Sequence, residues 1–386
     1  MGAAAQRLTP WLLFGVLPVL LPFVRRASPP LLVAAALLST LGLLADPEAR
    51  KGFRTSLRPV PVAIGVAFLG WATLTLFWTP WLSRGAAAVA SGWLVFGALV
   101  VLACAPASDA NRHARQIFPF AVFFGAAFVA LDLQFGAVAL RLLDANADLT
   151  RYNMVLVSLV VLFCACLRGE GGGRQAIATA SIGMAAAVLT GESETAKLSF
   201  AVAVAAYGAA HVLPRRILAS AFALVLCVLW FGFASIAQLA AKFAVLFPGL
   251  AKAGHATERL GIWTAFSQLA MSGLPWGWGV ESVAIAPALP FFATASEPIR
   301  AGLDWMHPHN NVIQVAAEMG APGIALGLAC SLVVAWWVQA DAALAPPRAA
   351  LAGALFTVAL VSHGFWQMWF WAAAAVAVVA LRGPAK

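Results

Sequence analysis

Long apolar runs separated by short polar punctuation set the pattern of this chain. A helix needs about 20 mostly apolar residues to cross the hydrocarbon of a bilayer. On that measure the runs predict twelve spans, near 9–24, 30–45, 60–79, 85–105, 117–140, 152–167, 174–190, 197–213, 217–240, 311–339, 349–364 and 366–381. Apolar residues come in blocks and do not alternate with polar ones, which argues against a membrane β-barrel. Helices remain, because they satisfy their own backbone polar groups in lipid. The expected fold is an all-α integral membrane protein with about twelve transmembrane helices. A bundle of about nine helices covers 1–240, a long loop with amphipathic helices covers 241–310, and about three helices cover 311–386. The first run follows Arg7 as a signal peptide would, but Arg25-Arg26-Ala27-Ser28-Pro29 offers no A-x-A cleavage site, so it reads as an uncleaved span.

Composition narrows the class. Of the 386 residues, 62% are apolar and 10% are charged, with a mean hydropathy of +0.89. A soluble domain carries about 25% charged residues, so a soluble globular protein, a disordered chain and a coiled coil are excluded. The net charge of +9 comes from 24 Lys/Arg against 15 Asp/Glu. In a membrane protein that excess is first a topology signal. With the N-terminus inside, fourteen basic residues fall on inner segments, among them Arg50, Lys51, Arg112, Arg115, Arg168, Arg215, Arg348 and Arg382. Six fall on short outer loops: Arg25, Arg26, Arg84, Arg141, Arg151 and Lys197. Both termini are therefore expected in the cytoplasm and the long loop outside. The five cysteines lie in apolar runs and read as small core filler.

The polar positions that remain are concentrated. Residues 259–271 place Ile262, Trp263, Phe266, Leu269 and Ala270 at helical spacing, predicting a helix that lies on the bilayer or the bundle. It ends at Ser272-Gly-Leu-Pro-Trp-Gly-Trp-Gly279, a turn-rich stop. The loop then reaches Trp305-Met-His-Pro-His-Asn-Asn311 directly before the tenth span. Two accounts compete there: a helix cap with interfacial polar residues, or an anion site at the positive end of the helix dipole. Arg151-Tyr-Asn153, Thr190-Gly-Glu-Ser-Glu-Thr-Ala-Lys197 and Arg259 fall on the same outer side. A single interfacial Arg is ordinarily an anchor. Several basic groups with a histidine on one face suit an anionic, phosphorylated substrate from the outer leaflet. Asp132, an acid inside the fifth span, reads equally as a functional group or a local hydrogen-bonding one. Glu318 lies about 13 Å deeper than His309 on the opposite helix face, so it reads as a buried hydrogen-bonding residue and not a proton relay.

These residues resemble the O-antigen ligase and O-antigen polymerase superfamily. The segment His309-Asn-Asn-Val-Ile-Gln-Val-Ala-Ala-Glu318-Met-Gly320-Ala-Pro-Gly323 is similar to its His-Asn pair and Glu-x-Gly-x-x-Gly ending. Arg259-Leu-Gly-Ile-Trp263 and Pro275-Trp-Gly-Trp-Gly279 resemble its Arg-x-x-x-Trp helix and Pro-x-Gly-x-Gly turn, and Thr190–Thr195 its small polar motif. Glu194 departs from the basic residue usual in that motif, with Lys197 one helical turn on, and a second histidine, His307, accompanies His309. The resemblance implies transfer of a glycan from undecaprenyl diphosphate to an acceptor hydroxyl of lipid A–core, outside the bacterial inner membrane. On that reading His309 is the general base, and Arg151, Arg259, Lys197 and Arg300 bind the diphosphate. Asn310 and Asn311 orient the acceptor or the histidine, with His307 in reserve. No D-x-D occurs and Glu192-x-Glu194 is the only close acidic pair on the outer side; with the metal-independent chemistry that the resemblance implies, neither a metal nor another cofactor is expected. Nucleic acid is not expected as a partner. A polymerase or a protein O-glycosyl ligase of the same superfamily is the near alternative. A lipid or sugar transporter is the distant one, and it would show internal repeats and broken helices with charges near the bilayer midplane.

Overall fold

The computed structural model describes residues 2–106, 109–143, 150–168, 173–246 and 256–382. Every regular element among them is helical. Among the described residues, six helices are long and apolar enough to cross a membrane: Ser28–Ala45, Pro59–Phe77, Leu82–Cys104, Asn111–Gln134, Arg215–Leu239 and Asn311–Gln339. The other six predicted spans correspond to helices that are shorter, more polar or interrupted. Thr150–Cys166, Ala345–Val361 and Met368–Ala380 are the short ones. Gly173–Thr190 and Glu194–Val212 carry more polar residues, and the first run divides into Gly2–Pro10, a wider π turn at Trp11–Val16, and Leu17–Leu20.

Two boundaries and one additional helix differ from expectation. The fifth run ends at Gln134, not 140, because the Asp132 carboxylate accepts from the Ala139 N–H (2.7 Å), the Leu140 N–H (3.1 Å) and the Tyr152 hydroxyl (2.6 Å). That arrangement reverses the chain through Gly136 and Ala137, both at positive φ, and settles Asp132 as a local hydrogen-bonding group. The ninth helix runs from Arg215 to Leu246, so helical structure continues past position 240. A polar helix, Pro47–Ser56, was not anticipated; Asp46 caps it by accepting from the Glu48 N–H. The inner turn around 169–172 and the opening of the long loop at 247–255 lie outside the described residues.

The tenth span is broken. At Gly320 the backbone takes φ 62° and ψ −153°, a region open essentially to glycine alone. The break frees carbonyls that the turn at 273–279 supplies with donors. The Trp278 N–H donates to Ala317 O and the Gly279 N–H to Glu318 O, both at 2.8 Å, and the Trp71 indole donates to Met319 O. In return the Ala321 N–H donates to Pro275 O (2.8 Å). The two backbones pass so closely that a Cβ on Gly277 would lie 2.5 Å from Glu318 O. The Pro-x-Gly-x-Gly and Glu-x-Gly motifs, forty residues apart, are therefore the two halves of one joint.

The helix Ala256–Ser272 packs against Arg215–Leu246, Glu297–Leu303 and Asn311–Gln339. Ile262, Phe266, Leu269 and Ala270 of its predicted apolar face are buried. Of the two expected seats, bilayer or bundle, it takes the bundle.

Four of the arginines counted as inner bind backbone carbonyls at helix ends. Arg168 donates to Ala380 O, Arg348 to Trp337 O and Leu381 O, Arg215 to Gln339 O, and Arg382 to Leu102 O. Each guanidinium therefore meets carbonyls of the last turn of a helix or just beyond it, where positive charge is favoured.

Candidate active site

The connections assigned to the outer side converge on one cavity of about 1170 Å³. Arg26 precedes the Ser28–Ala45 helix, and Arg84 lies in the first turn of Leu82–Cys104. Asn153 opens the sixth span, and Glu192 to Thr195 join the seventh and eighth. Arg259 comes from the first turn of Ala256–Ser272. His307 and His309 precede the broken helix, and Ser362 to Trp369 close the cavity from between the last two helices.

His309 is held from both sides in sequence. Its backbone is left-handed at φ 49°, and Met306, three residues earlier, is at φ 60°. Non-glycine residues held at positive φ cost about 1–3 kcal/mol each and gather at functional sites. Asn310 follows as the helix cap, its side-chain oxygen accepting from the Val312 (3.0 Å) and Ile313 (3.1 Å) N–H groups. The cap account of this segment is thus the one observed: Asn310 fills the place an anion would take at the helix start. Asn311 is buried beside it. Neither asparagine is among the residues lining the cavity.

The His309 ring is hydrogen-bonded through Nδ1 to the Ser362 carbonyl. A carbonyl oxygen only accepts, so Nδ1 carries the proton and Nε2 keeps its lone pair. Burial, then the neighbouring His307 and Arg259, push the His309 pKa down to about 4, while the Ser362 carbonyl opposes the shift. His307 stacks edge-on at 4.0 Å between ring centroids and is lowered too, mainly by burial and further by Arg84. His363 is pushed down to about 3 by burial and by both other histidines. All three imidazoles are therefore neutral near pH 7. The result is a neutral His309 with a defined tautomer and one basic nitrogen, the form required to take a proton.

The charges around the histidines are mixed. Arg26, Arg84 and Arg259 line the cavity, and so do Glu192, Glu194 and Glu281. Arg84 Nε lies 2.6 Å from Glu281 Oε2. Burial pushes the Glu281 pKa up against the pull of Arg84, and burial pulls that of Arg259 down against Glu194 and Glu258. Cations and anions are balanced here, where the sequence suggested an excess of cations.

The expected site residues separate accordingly. His309, His307 and Arg259 are brought together. Lys197 pairs with Glu194 at 3.1 Å and does not line the cavity. Arg300 donates to Ala295 O within its own loop (2.7 Å), and Arg151 is not among the lining residues although Asn153 is. Arg26, Arg84, Glu281 and Ser362 were missed as site residues. The signal that could have found the two arginines was their placement on the same outer side as His309. Among the described residues, no three His, Cys, Asp or Glu side chains are grouped as a metal site.

A polytopic helical protein with one polar, histidine-bearing cavity at the end of its bundle is the class that the geometry defines. A family model described as O-antigen ligase matches residues 179–328, supporting the O-antigen ligase superfamily for this chain. The matched stretch includes the Glu192–Thr195 connection, Arg259, the 273–279 turn and the histidine segment through Gly323. The family indicates a glycosyl-transfer enzyme and implies a lipid-linked glycan; with the membrane-type helices, it indicates a multi-pass inner-membrane protein. No curated protein matches the chain.

Proposed function

We propose that the protein transfers a glycan from undecaprenyl diphosphate to a hydroxyl of lipid A–core at the periplasmic face. Its helices cross the membrane twelve times, and both termini are cytoplasmic. The observation that carries this reading is the His309 tautomer: a neutral ring in the cavity whose Nδ1–H is committed to Ser362, leaving Nε2 as base. The acceptor oxygen attacks the anomeric carbon, its proton passes to Nε2, and the glycosyl–phosphate bond breaks with its electron pair going to the departing diphosphate. A positioned general base contributes typically 10²–10⁴-fold. Arg259 is the expected diphosphate ligand, with Arg26 and Arg84 beside it, because guanidinium forks match phosphate geometry. Glu192 and Glu194 suit glycan hydroxyls, since carboxylates accept their hydrogen bonds. The fixed guanidinium charges are the proposed substitute for a metal. Arg151, Lys197 and Arg300 take supporting roles in anion attraction.

The transporter reading gains one feature, the broken helix at Gly320. However, the freed backbone groups there are bonded to the 273–279 turn, and the cationic groups of the cavity lie at the ends of helices. That arrangement favours catalysis over carriage. Purified protein, lipid-linked glycan and lipid A–core, incubated with a chelator, test the proposal. Transfer that disappears in His309→Ala is expected; full activity of that variant, or no transfer by the wild type, refutes it. With a lipid-linked repeat as the only acceptor, chain growth would identify a polymerase instead.

A further inference from the structure

Glu318 is fully buried, in the helix half that begins with Asn311 and ends at the Gly320 break, and it does not line the cavity. Its carboxylate is nonetheless linked to the cavity wall. One oxygen accepts from the Gln314 amide (3.1 Å) and the other from the Trp366 indole N–H (2.6 Å). Gln314, one turn earlier on the same helix face, accepts through Oε1 from the Phe365 N–H (2.7 Å). The Trp371 indole fixes Phe365 O from the other side (2.6 Å). Glu318 and Gln314 thus hold the connection 362–367, and Ser362 at its start holds the His309 ring. The Glu318 peptide is itself anchored, since its carbonyl accepts from the Gly279 N–H across the joint.

From this chain of contacts we infer that Glu318 is a positioning residue for His309: through Trp366 and Gln314 it fixes the 362–367 connection, which sets the orientation and tautomer of the imidazole. The inference rests on the proposed transfer only where His309 is called the base; the hold on the ring is a separate, observable property. A buried carboxylate with two donors on separate elements suits this task. Removing it leaves those donors unpaired in a site that excludes water. A carboxamide replaces one acceptor oxygen with an NH2 group, which then opposes either the Gln314 amide or the Trp366 N–H.

The test uses the full-length protein in nanodiscs. Glu318→Gln and Trp366→Phe are compared with wild type, the second removing one donor while keeping an aromatic ring. Monodispersity and thermal unfolding identify the folded variants. Histidine-selective ¹⁵N labelling reads the tautomer, with the His309 signal assigned by its loss in His309→Ala. Wild type is expected to show His309 protonated at Nδ1. In the variants the Nε2–H form grows, kcat for glycan transfer falls by roughly 10–100-fold and the donor KM stays within about twofold, as misplacement of a catalytic group predicts. A folded Glu318→Gln protein with an unchanged Nδ1–H signal and wild-type kcat overturns the inference. If Glu318→Gln does not fold, the same result in Trp366→Phe overturns it. Full transfer by His309→Ala would overturn the reaction assignment instead, and the tautomer signal would still decide whether Glu318 holds the ring.

Discussion

Replacing Gly320 with alanine tests the joint between the broken helix and the 273–279 turn. A methyl group there would lie 2.2 Å from Pro275 O, 2.5 Å from the Trp276 carbonyl carbon and 2.6 Å from Gly277 N. All three are backbone atoms, so no side chain can swing aside to make room. The φ 62°, ψ −153° conformation adds strain of about 1–3 kcal/mol for any residue with a Cβ. Relief requires the turn to withdraw, which releases the bonds of Trp278, Gly279 and Ala321 across the joint. Each contributes about 0.5–1.5 kcal/mol net. The expected loss is on the order of 3–6 kcal/mol, a large share of the 5–15 kcal/mol by which domains are ordinarily stable. Thermal unfolding of the detergent-solubilised protein, followed by tryptophan fluorescence, should show a Tm decrease on the order of 5–15 °C. Gly70→Ala is the control, because a Cβ there meets nothing within 4 Å. If Gly320→Ala melts within about 2 °C of wild type, the joint as described is wrong.

Three further outcomes follow from the geometry. Because only the neutral His309 accepts a proton and its pKa is lowered to about 4, kcat/KM should be constant through pH 6.5 and lost as pH falls through about 4; an acid limb near 6.5 would contradict the buried, neutral ring. Asp132→Ala leaves two backbone N–H groups and the Tyr152 hydroxyl without their acceptor, so stability should fall by about 2–4 kcal/mol, measured by the same melting assay. A cysteine placed at Ser296 should react with a membrane-impermeant maleimide in intact spheroplasts, whereas one at Thr55 should react only after lysis; the reverse pattern would invert the proposed topology.

Much of the helical arrangement could be read from the chain because lipid imposes a simple rule on it. Runs of leucine, alanine and valine between charged residues locate helices within a few positions, as at 30–45 and 311–339. The outer-side arithmetic also placed Arg259, His307 and His309 together, since each lies at a connection between runs. What hydropathy cannot register is a break inside an apolar run. Gly320 and Pro322 sit in a stretch that averages as one span, and the donors that satisfy the break arrive from distant residues, Trp71 and the 273–279 turn. Arg26 and Arg84 were hidden for a different reason: no histidine, amide or acid stands near either in sequence to mark a site. Arg300 and Lys197 were overestimated because charge on the correct side says nothing about nearer partners, here Ala295 O and Glu194. Glu194 was legible as a departure from its motif, whereas nothing in the sequence marks Glu281 as the partner of Arg84.

The joint at Gly320 has a consequence for biogenesis. Synthesis runs from the N-terminus, so the 273–279 turn is made before the residues it will enclose. Pro322 has no N–H, so one continuous helix over 311–339 would leave Glu318 O unpaired in lipid; the Gly279 N–H supplies that missing donor. Opening the span at Gly320 before the turn is seated would leave Ala317 O without its donor as well. The turn at 273–279 is therefore the partner this span needs in lipid, and it precedes the span in the order of synthesis.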